Sequence, residues 1–461
     1  MKAVVVGRAR ALIGAAVLAG CTVGPDYQDP TIEIPSRFAS GGGTDSATLA
    51  PIAWWQSFHD PVLNRLIAQG LAQNLDLAQA VERIEAAEAS VRASGVQLTG
   101  DASGSVFRAG SSDEVTRTES SVGLGASWLI DIFGASKRER EAALRDLDAA
   151  AANVRAARMA LLSQVALAYI DLRFFEAAAG LKRRDLTSRQ LTLREVRSIF
   201  DAGEATQLEL TQSEALLSTT RSEIPVLEAN AQRQRNRLAT LLGVPAGTLP
   251  LTVTGNQPAP RGRTVTGVPA DLIRNRPDVQ QAEAEYAAAV ARIGVAESQL
   301  YPALRLGGDV RVGRASGDNL DSWSFGPSLS VPVFNRGALA ANVDVSESTA
   351  KQEYLAWRQS VLVAVEEVEN ALYSIGRYAQ SVASANRAVE QYTRALGLSR
   401  ELSRNGEITI LEVVESERQI ASAREAQAQS LRQLAREHVA LNVALGAGYA
   451  ADAGYTVAKG K

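Results

Sequence analysis

The sequence predicts a mainly α-helical protein that is internally duplicated and contains four β-strands per chain. Three observations carry this prediction. The two halves repeat each other at a spacing of about 200 residues, so that Gly203 corresponds to Gly406 and Leu208 to Leu411. Short segments alternate between apolar and polar residues, which is the pattern of strands. Long stretches without proline keep apolar residues three and four positions apart, which is typical of packed helices.

The N-terminus has the features of a secretion signal that is removed. Three basic residues precede an apolar run that ends at Gly20, and this run is too short for a membrane span, which needs about 20 apolar residues. Cys21 follows immediately and is the only cysteine in the sequence, so an internal disulfide is excluded. We therefore expect the mature chain to begin near Cys21.

The sequence Leu-Ala-Gly before Cys21 resembles the lipobox of bacterial lipoproteins. In such a motif the cysteine becomes the lipidated N-terminus of the mature chain. The other interpretation is a cysteine that happens to follow an ordinary cleavage site. Thr22 stands where an aspartate commonly retains lipoproteins at the inner membrane, so the resemblance favours the outer membrane.

The duplication divides the sequence into two repeats flanked by irregular segments. Each repeat is predicted to hold a short helix, a β-hairpin and a long helical hairpin, in that order. Proline, glycine and threonine are concentrated between the repeats, which indicates a linker without regular structure. The expected parts are a signal peptide (1–20), a lipidated N-terminal segment that wraps the body (21–60), the first repeat (61–242), the linker (243–269), the second repeat (270–446) and a C-terminal tail (447–461).

The strands are predicted from alternation with a period of two residues. They form two hairpins, at about 103–132 and about 304–333. In the second hairpin one face is apolar, and the other carries Arg305, Asp309 and Arg311. Segments of about ten residues with aromatic residues near their ends match the strands of membrane β-barrels, whose interior is polar. We therefore expect these three charged residues to line the lumen of a transmembrane barrel.

A sheet of four strands cannot close into a barrel by itself. An open strand edge is not tolerated in lipid, so strands that lie in a membrane require several chains that share one barrel. The polar segments 110–119 and 314–321 are then expected to be exposed turns. The alternative is that both hairpins are soluble and pack on a core. Trp128, Trp323 and Phe325 would then need a large core that the rest of the chain does not supply.

The helices that follow each hairpin are unusually long. Residues 136–200 and 337–404 contain no proline, and a shorter helix follows each of them, at 206–242 and 407–445. At 1.5 Å per residue, a helix of about 65 residues spans roughly 100 Å, a length that suits the crossing of a periplasm.

Each long helical hairpin turns at a short tip, at about 201–206 in the first repeat and about 404–409 in the second. A glycine stands in each tip where a helix is expected to end. These tips contain Gly203 and Glu204 in the first repeat and Gly406 and Glu407 in the second.

No pattern in the sequence indicates catalysis. The two histidines, His59 and His438, lie far apart, and we find no cluster of metal ligands, no Gly-rich phosphate loop and no Ser/His/Asp arrangement. Removing the three positive charges of the signal peptide from the formal net charge of −3 leaves −6, which gives nucleic-acid binding no electrostatic support. We expect no enzyme activity, no cofactor, no metal and no nucleic-acid partner.

Five motifs occur in order along the sequence. They are CTVGPDY at 21–27, the run from Trp54 to Leu66, Asp-Ile-Phe-Gly at 131–134, Arg-Pro-Asp at 276–278 and the segment 326–334. Together they resemble the TolC-like outer-membrane factors, in the branch of NodT-type efflux lipoproteins, over essentially all of the mature chain. The resemblance implies a lipid-anchored homotrimer in the outer membrane of a Gram-negative bacterium. Twelve strands would form one barrel, continuous with an α-barrel tunnel of twelve helices.

The resemblance also implies a role for acidic residues near the second tip. Glu412 and Glu415 lie three residues apart on one helix face, and three copies imply stacked acidic rings near the closed end of the pore. Glu209, the counterpart of Glu412 in the first repeat, is expected to join them. On spacing alone, the same residues suit a solvated helix face. Ile408 stands where some relatives carry an arginine, so this sequence departs from a gate that depends on that arginine.

The predicted function is that of an outer-membrane channel component of a tripartite efflux system. The resemblance implies docking on a periplasmic adaptor protein and an inner-membrane pump, with the adaptor bound at the hairpin tips, at Gly203, Glu204, Gly406 and Glu407. The cargo is expected to be small molecules, such as drugs, toxic compounds or metal ions. Two alternatives stay open at this stage: the duct of a type I protein-secretion system, and a periplasmic coiled-coil scaffold lipoprotein with soluble hairpins.

Overall fold

The computed structural model describes residues 22–35, 38–40, 53–111, 114–251, 256–260, 276–315 and 318–447. Within these ranges the fold is mainly helical with four strands, as the sequence predicts. The elements in order are a 3-10 helix (Trp54–Phe58), α1 (Pro61–Gln73), α2 (Leu75–Ala93), β1 (Leu98–Ser111), β2 (Glu114–Ile130), α3 (Ala135–Asp201), α4 (Gln207–Leu241), α5 (Pro277–Ser298), β3 (Ala303–Ala315), β4 (Asp318–Ser330), α6 (Arg336–Arg404) and α7 (Ile410–Ala444).

The four strands form one antiparallel sheet in the order of the sequence. Pairing of β2 with β3 joins the two hairpins and leaves β1 and β4 at the edges. The register sets Leu124 opposite Val310, and Val310 opposite Trp323, so apolar residues from successive strands share one face. This face is exposed in the single chain, with Trp323 at 80% and Phe325 at 73% exposure. The predicted alternation is therefore confirmed, and its apolar side has no core to cover it among the described residues.

The turns of both hairpins are shorter than the sequence predicts. We expected polar loops at 110–119 and 314–321, and this expectation is wrong for most of both segments. In the first hairpin the ladder continues until Ser111 pairs with Glu114, and the strands of the second hairpin approach each other equally closely. Polar residues extend both strands here, and a search for apolar alternation does not detect them. For the same reason β1 begins at Leu98, before its predicted start.

The long helices agree closely with the prediction. α3 contains 67 residues and α6 contains 69, so each spans about 100 Å at 1.5 Å per residue. The largest difference is at the start of α7, which begins at Ile410 because Thr409 keeps an extended backbone as the N-cap residue. Within the described ranges, no helix is both long and apolar enough to cross a membrane.

The chain forms two compact units. Of the described residues, the first unit contains the sheet and takes those up to Ile32 and those in Glu82–Ala152 and Gln280–Ser360. The second takes the described residues of Glu33–Val81 and Asn153–Val279 and those from Val361 onward. Each unit draws on both halves of the sequence. The units of packing therefore differ from the units of duplication.

The core of the second unit explains one of the sequence motifs. Trp54, Leu63, Tyr169 and Leu238 are almost completely buried in it. Asp60 accepts hydrogen bonds from the first amides of α1 and a third, at 2.7 Å, from the hydroxyl of Tyr169. The aromatic run that begins at Trp54 thus anchors the N-terminal segment to α3.

The duplication is visible in contacts as well as in sequence. Asn74 Nδ2 donates to the carbonyl of Leu241 at the end of α4, at 2.9 Å. Arg276, the counterpart of Asn74, donates from Nη1 to the carbonyl of Ala444 at the end of α7, at 3.1 Å. In each repeat, the residue before the short helix (α2 or α5) therefore donates a hydrogen bond to the C-terminal end of the last helix (α4 or α7). The two donors are of different types, an asparagine and an arginine.

The two histidines have separate structural positions. His59 has a φ of +50° and ends the 3-10 helix. His438 lies in the second unit, where Nε2 is 2.9 Å from Ser57 Oγ and the ring packs edge-on against Phe58. Burial lowers the pKa of His438 to about 4, so the ring is neutral near pH 7. The described residues contain no group of side chains that could hold a metal ion.

Candidate functional site

The two tips of the helical hairpins are built in the same way. Gly203 follows α3 and Gly406 follows α6, with φ of +81° and +73°, a conformation that glycine adopts without steric cost. The amides of Glu204 and Glu407 donate to carbonyls of the preceding helices, at 3.0 and 2.9 Å. These bonds close the two helix ends. A Cβ atom on either glycine would meet nothing within 4 Å, so this side of each tip is open.

The acidic residues after the second tip differ in their surroundings. Glu412 lies in the first turn of α7 and is exposed. Its carboxylate has no hydrogen bond or ion pair within the described ranges. Glu415, one turn later, accepts two hydrogen bonds from Arg418, at 2.8 and 2.9 Å, and one from Gln419 at 2.6 Å. These bonds, chiefly those from Arg418, lower the pKa of Glu415.

Glu209 has a local partner that its counterpart in the second repeat lacks. Its carboxylate accepts hydrogen bonds from the amide and the hydroxyl of Thr206, at 2.6 and 2.9 Å. The amide of Glu209 donates to Thr206 Oγ1 in return, which completes a capping box at the start of α4. Glu209 therefore satisfies backbone groups of its own helix, whereas Glu412 does not.

One acidic residue near the tip was not singled out by the sequence. Glu417 of α7 is buried, and Oε1 accepts hydrogen bonds from Ser188, Thr192 and Arg400 at 2.9, 3.0 and 2.7 Å. Its Oε2 is buried without a partner among the described residues. Spacing offered a signal, because Glu417 continues the buried row of Val413 and Ile420. A charge in an apolar row indicates a buried ion pair.

The three charged residues of the second hairpin share one face of the sheet. Arg305 lies opposite Ser328, Asp309 opposite Ser324, and Arg311 opposite Ser322 on β4. Ser324 Oγ donates to Asp309 Oδ1. This polar face lies opposite the face that carries Trp323 and Phe325. Arg305, Asp309 and Arg311 therefore lie on one side of the sheet in the structure.

Cys21, the predicted lipidation site, lies outside the described residues, as do residues 1–20 and almost all of the C-terminal tail. The description begins at Thr22.

The chain joins a four-stranded sheet with an exposed apolar face to helices of about 100 Å. This architecture defines the class of outer-membrane channels. A model of the family described as "Outer membrane efflux protein" matches residues 66–244 and 268–447. The chain belongs to this family.

Individual relatives agree with the family match. The chain is 40% identical to Nodulation protein T of Rhizobium leguminosarum bv. viciae, covering 94% of this chain and 92% of that protein. It is 32% identical to the pyoverdine export outer membrane protein OpmQ of Pseudomonas putida, covering 92% and 94%. The solved structure of the outer-membrane channel OprN superposes with a TM-score of 0.84 at 30% identity, covering 93% of this chain and 99% of that one.

These matches confirm the predicted class, which is an outer-membrane channel component of an efflux system. The family consists of channel and efflux proteins rather than enzymes.

Proposed function

We propose that three copies of this chain form one duct through the outer membrane and the periplasm. The single observation that carries the proposal is the sheet, which exposes an apolar face and has unpaired outer edges on β1 and β4 in the single chain. Hydrocarbon cannot satisfy the backbone groups of an open edge. Pairing of β4 of one copy with β1 of the next satisfies them. The number three, which gives twelve strands, rests on the resemblance to TolC-like proteins.

Within this duct, Arg305, Asp309 and Arg311 would line the barrel lumen, because they lie on the face opposite the apolar one. Water in the lumen would solvate them, and lipid would cover the other face. The face assignment of the sheet supports this arrangement. The serine residues opposite them on β4 are also suited to a wet interior.

The tips would dock a periplasmic adaptor protein, which couples the duct to an inner-membrane pump. The open space beside Gly203 and Gly406 supports this assignment, since another helix can approach the backbone closely at a glycine. Glu204 and Glu407 would offer acidic groups to the adaptor. The cargo would be small molecules, as the name of the pyoverdine-exporting relative suggests. Lipid on Cys21 would anchor each copy in the outer membrane.

The experiment that tests the duct is a native mass measurement on protein extracted with mild detergent from purified outer membranes. A trimer that carries three lipidated N-termini is the expected result. A lipidated monomer, under conditions that preserve a related trimeric channel, would exclude the shared barrel. The coiled-coil scaffold would then be the better explanation. A trimer whose loss blocks export of proteins but not of small molecules would indicate the type I secretion duct instead.

The surroundings of the acidic residues predict unequal effects on ion selectivity. Glu412→Gln should lower the cation-to-anion permeability ratio of the channel, by roughly twofold, because it removes an unpaired charge from each copy. Glu415→Gln should have a smaller effect, since Arg418 already compensates that charge. Arg418→Gln should raise the ratio, because it leaves the Glu415 carboxylate uncompensated. Reversal potentials across a salt gradient in planar bilayers measure all three.

Glu209→Gln is the matched control for this series. It occupies the equivalent position of the first repeat, but its carboxylate caps α4. We expect it to leave selectivity unchanged and to cost only about 0.5 kcal/mol of helix stability, because a glutamine can also complete the capping box and only the negative charge near the helix N-terminus is lost. Equal loss of selectivity in the Glu209 and Glu412 variants would show that the capping box does not hold Glu209 away from the pore.

A further inference from the structure

The first described residues, 22–27, are held against the first unit by a buried arginine. Arg138, in the first turn of α3, has only 4% of its side chain exposed. Its Nε donates to the carbonyl of Val23 at 3.2 Å, and its Nη2 donates to the carbonyl of Gly24 at 3.1 Å and to Asp26 at 2.7 Å. Glu141 accepts from Nη1 at 2.9 Å. The guanidinium group therefore binds backbone and side chain of one short segment together.

Backbone packing fixes the same segment from two other sides. A Cβ atom on Gly24 would lie 2.4 Å from Cα of Gly294 in α5, so only glycine allows this approach. A Cβ atom on Gly134, between β2 and α3, would lie 2.7 Å from Thr22 Cγ2. The amide of Val23 also donates to the carbonyl of Phe133 at 3.1 Å. Thr22 is thus seated where β2 passes into α3.

Tyr27 closes the far end of the segment. Its hydroxyl donates to Glu283 at 3.2 Å, its ring packs edge-on against Tyr286 at 5.7 Å between centroids, and Arg145 lies over its face. These contacts explain the residue types of the CTVGPDY motif. The glycine allows close packing, the aspartate binds Arg138, and the tyrosine fills an aromatic cluster. We call residues 22–27, together with Arg138, the N-terminal clamp.

The clamp fixes the chain from Thr22 onward, so only the bond between Cys21 and Thr22 separates a lipid on Cys21 from the fixed segment. Cys21 precedes Thr22 directly, and consecutive Cα atoms are about 3.8 Å apart. An acyl group on Cys21 would therefore be attached one residue before Thr22, which lies beside Gly134, close in sequence to the end of β2 at Ile130. That is the end of the sheet at which its strands pass into the helices.

We infer that the N-terminal clamp positions the lipid anchor, so that the acyl chains and the sheet enter the same bilayer at a fixed distance from each other. In this inference Arg138 is the positioning residue. The partner is lipid, because the acyl chains on Cys21 would insert into the hydrocarbon layer of one membrane leaflet. This inference rests on the proposed lipidation of Cys21. Its consequence is kinetic: a tether without slack keeps the apolar face of the sheet at the membrane surface, and so speeds assembly of the barrel.

The test uses the full chain in cells, with a flexible Gly/Ser insertion of about 12 residues after Thr22. The insertion adds a root-mean-square span of roughly 20 Å but leaves Cys21, Thr22 and the Arg138 contacts of residues 23–26 in place. Effective concentration falls roughly as the −3/2 power of tether length, so we expect the half-time for forming the detergent-resistant oligomer to rise by about tenfold. The same insertion after Gly42, beyond the clamp, is the control and should assemble at the wild-type rate.

Arg138→Met provides the second arm. Alone, it should slow assembly in the same direction, with Arg138→Lys restoring part of the rate. Combined with the insertion after Thr22, it should add no further delay, because the anchor is already free to move. A role in stability alone predicts additive delays, and that result would overturn the assignment of Arg138.

Labelling with radioactive palmitate distinguishes a failure of the positioning inference from a failure of lipid anchoring. If every variant incorporates label and the insertion after Thr22 assembles at the wild-type rate, the positioning inference is wrong while lipid anchoring stands. If the wild-type chain incorporates no label, lipid anchoring fails and the inference fails with it.

Discussion

A chain in which Phe325 is replaced by arginine should fail to assemble in the outer membrane. Phe325 lies on the apolar face of β4 and is 73% exposed in the single chain. An arginine on a lipid-facing barrel position costs about 2–4 kcal/mol near the midplane of the bilayer and less near its surfaces. A barrel built from several copies incurs that cost in each of them. The fraction of protein recovered from outer membranes as a detergent-resistant oligomer measures the effect.

The neighbouring residue provides a matched control. Ser324 lies on the opposite face of β4, where its hydroxyl donates to Asp309. Ser324→Arg introduces the same side chain at nearly the same depth, but beside a carboxylate that can pair with it. We expect near wild-type assembly for this variant. Equal failure of both variants would contradict the assignment of one face to lipid and the other to a water-filled lumen.

The elements that the sequence predicts well are those whose pattern repeats over many residues. α3 and α6 keep apolar spacings of three and four for more than 60 residues, and errors at their ends are small by comparison. The strands are recognised where Val122, Leu124 and Trp128 alternate with small residues. Pairing beyond the apolar part depends on backbone hydrogen bonds between polar segments, which leave no periodic signal. The sequence therefore predicts hairpin turns that are longer than those in the structure.

At the candidate gate, the sequence pattern does not distinguish the two repeats. Thr206 and Glu209 are separated as Thr409 and Glu412 are, so the sequence gives both pairs the same capping-box pattern. The structure forms the box in the first repeat only. The box forms only if both side chains adopt the rotamers that reach the backbone amides, and residue type alone does not specify a rotamer. The partner of Glu415, in contrast, lies three residues away at Arg418 and could have been predicted from helical spacing.

The Arg-Pro-Asp motif shows what a resemblance supplies and what it omits. The sequence places Pro277 in the first turn of a helix, and α5 begins there. Nothing in the sequence connects Arg276 with Glu367, which lies 91 residues away, or with the end of α7. Contacts over such separations follow from the tertiary fold. The motif is therefore recognisable from the sequence as a family feature, whereas its physical reason depends on the tertiary fold.

That reason leads to the largest expected effect on stability within the second unit. Arg276 is almost fully buried, with 4% of its side chain exposed, and its guanidinium nitrogens lie 2.7 Å from Asp278 and 2.7 Å from Glu367. Burial by itself would raise the pKa of Asp278, but the hydrogen bonds from Arg276 lower it. The same guanidinium also holds the carbonyl of Ala444. One side chain thus joins the start of α5, the middle of α6 and the end of α7.

Arg276→Ala should lower the free energy of unfolding by about 3 kcal/mol, the lower end of the cost of breaking a buried ion pair. The lower end applies because Asp278 and Glu367 are 40% and 46% exposed, so water can solvate part of each carboxylate after the loss. Denaturant unfolding of the protein in detergent, followed by helical circular dichroism, measures the change. Arg276→Lys should recover only part of it, because a single ammonium group cannot bind both carboxylates and the carbonyl in the same geometry.

Arg394→Ala is the matched control on α6. Its ion pair with Glu390, at 3.5 Å, has both side chains more than 70% exposed. Such a pair contributes less than about 0.5 kcal/mol, because water already solvates both charges. A loss in the Arg276 variant no larger than in the Arg394 variant would show that solvent replaces the buried contacts without penalty. The closure of the second repeat would then depend on packing of its apolar residues rather than on this arginine.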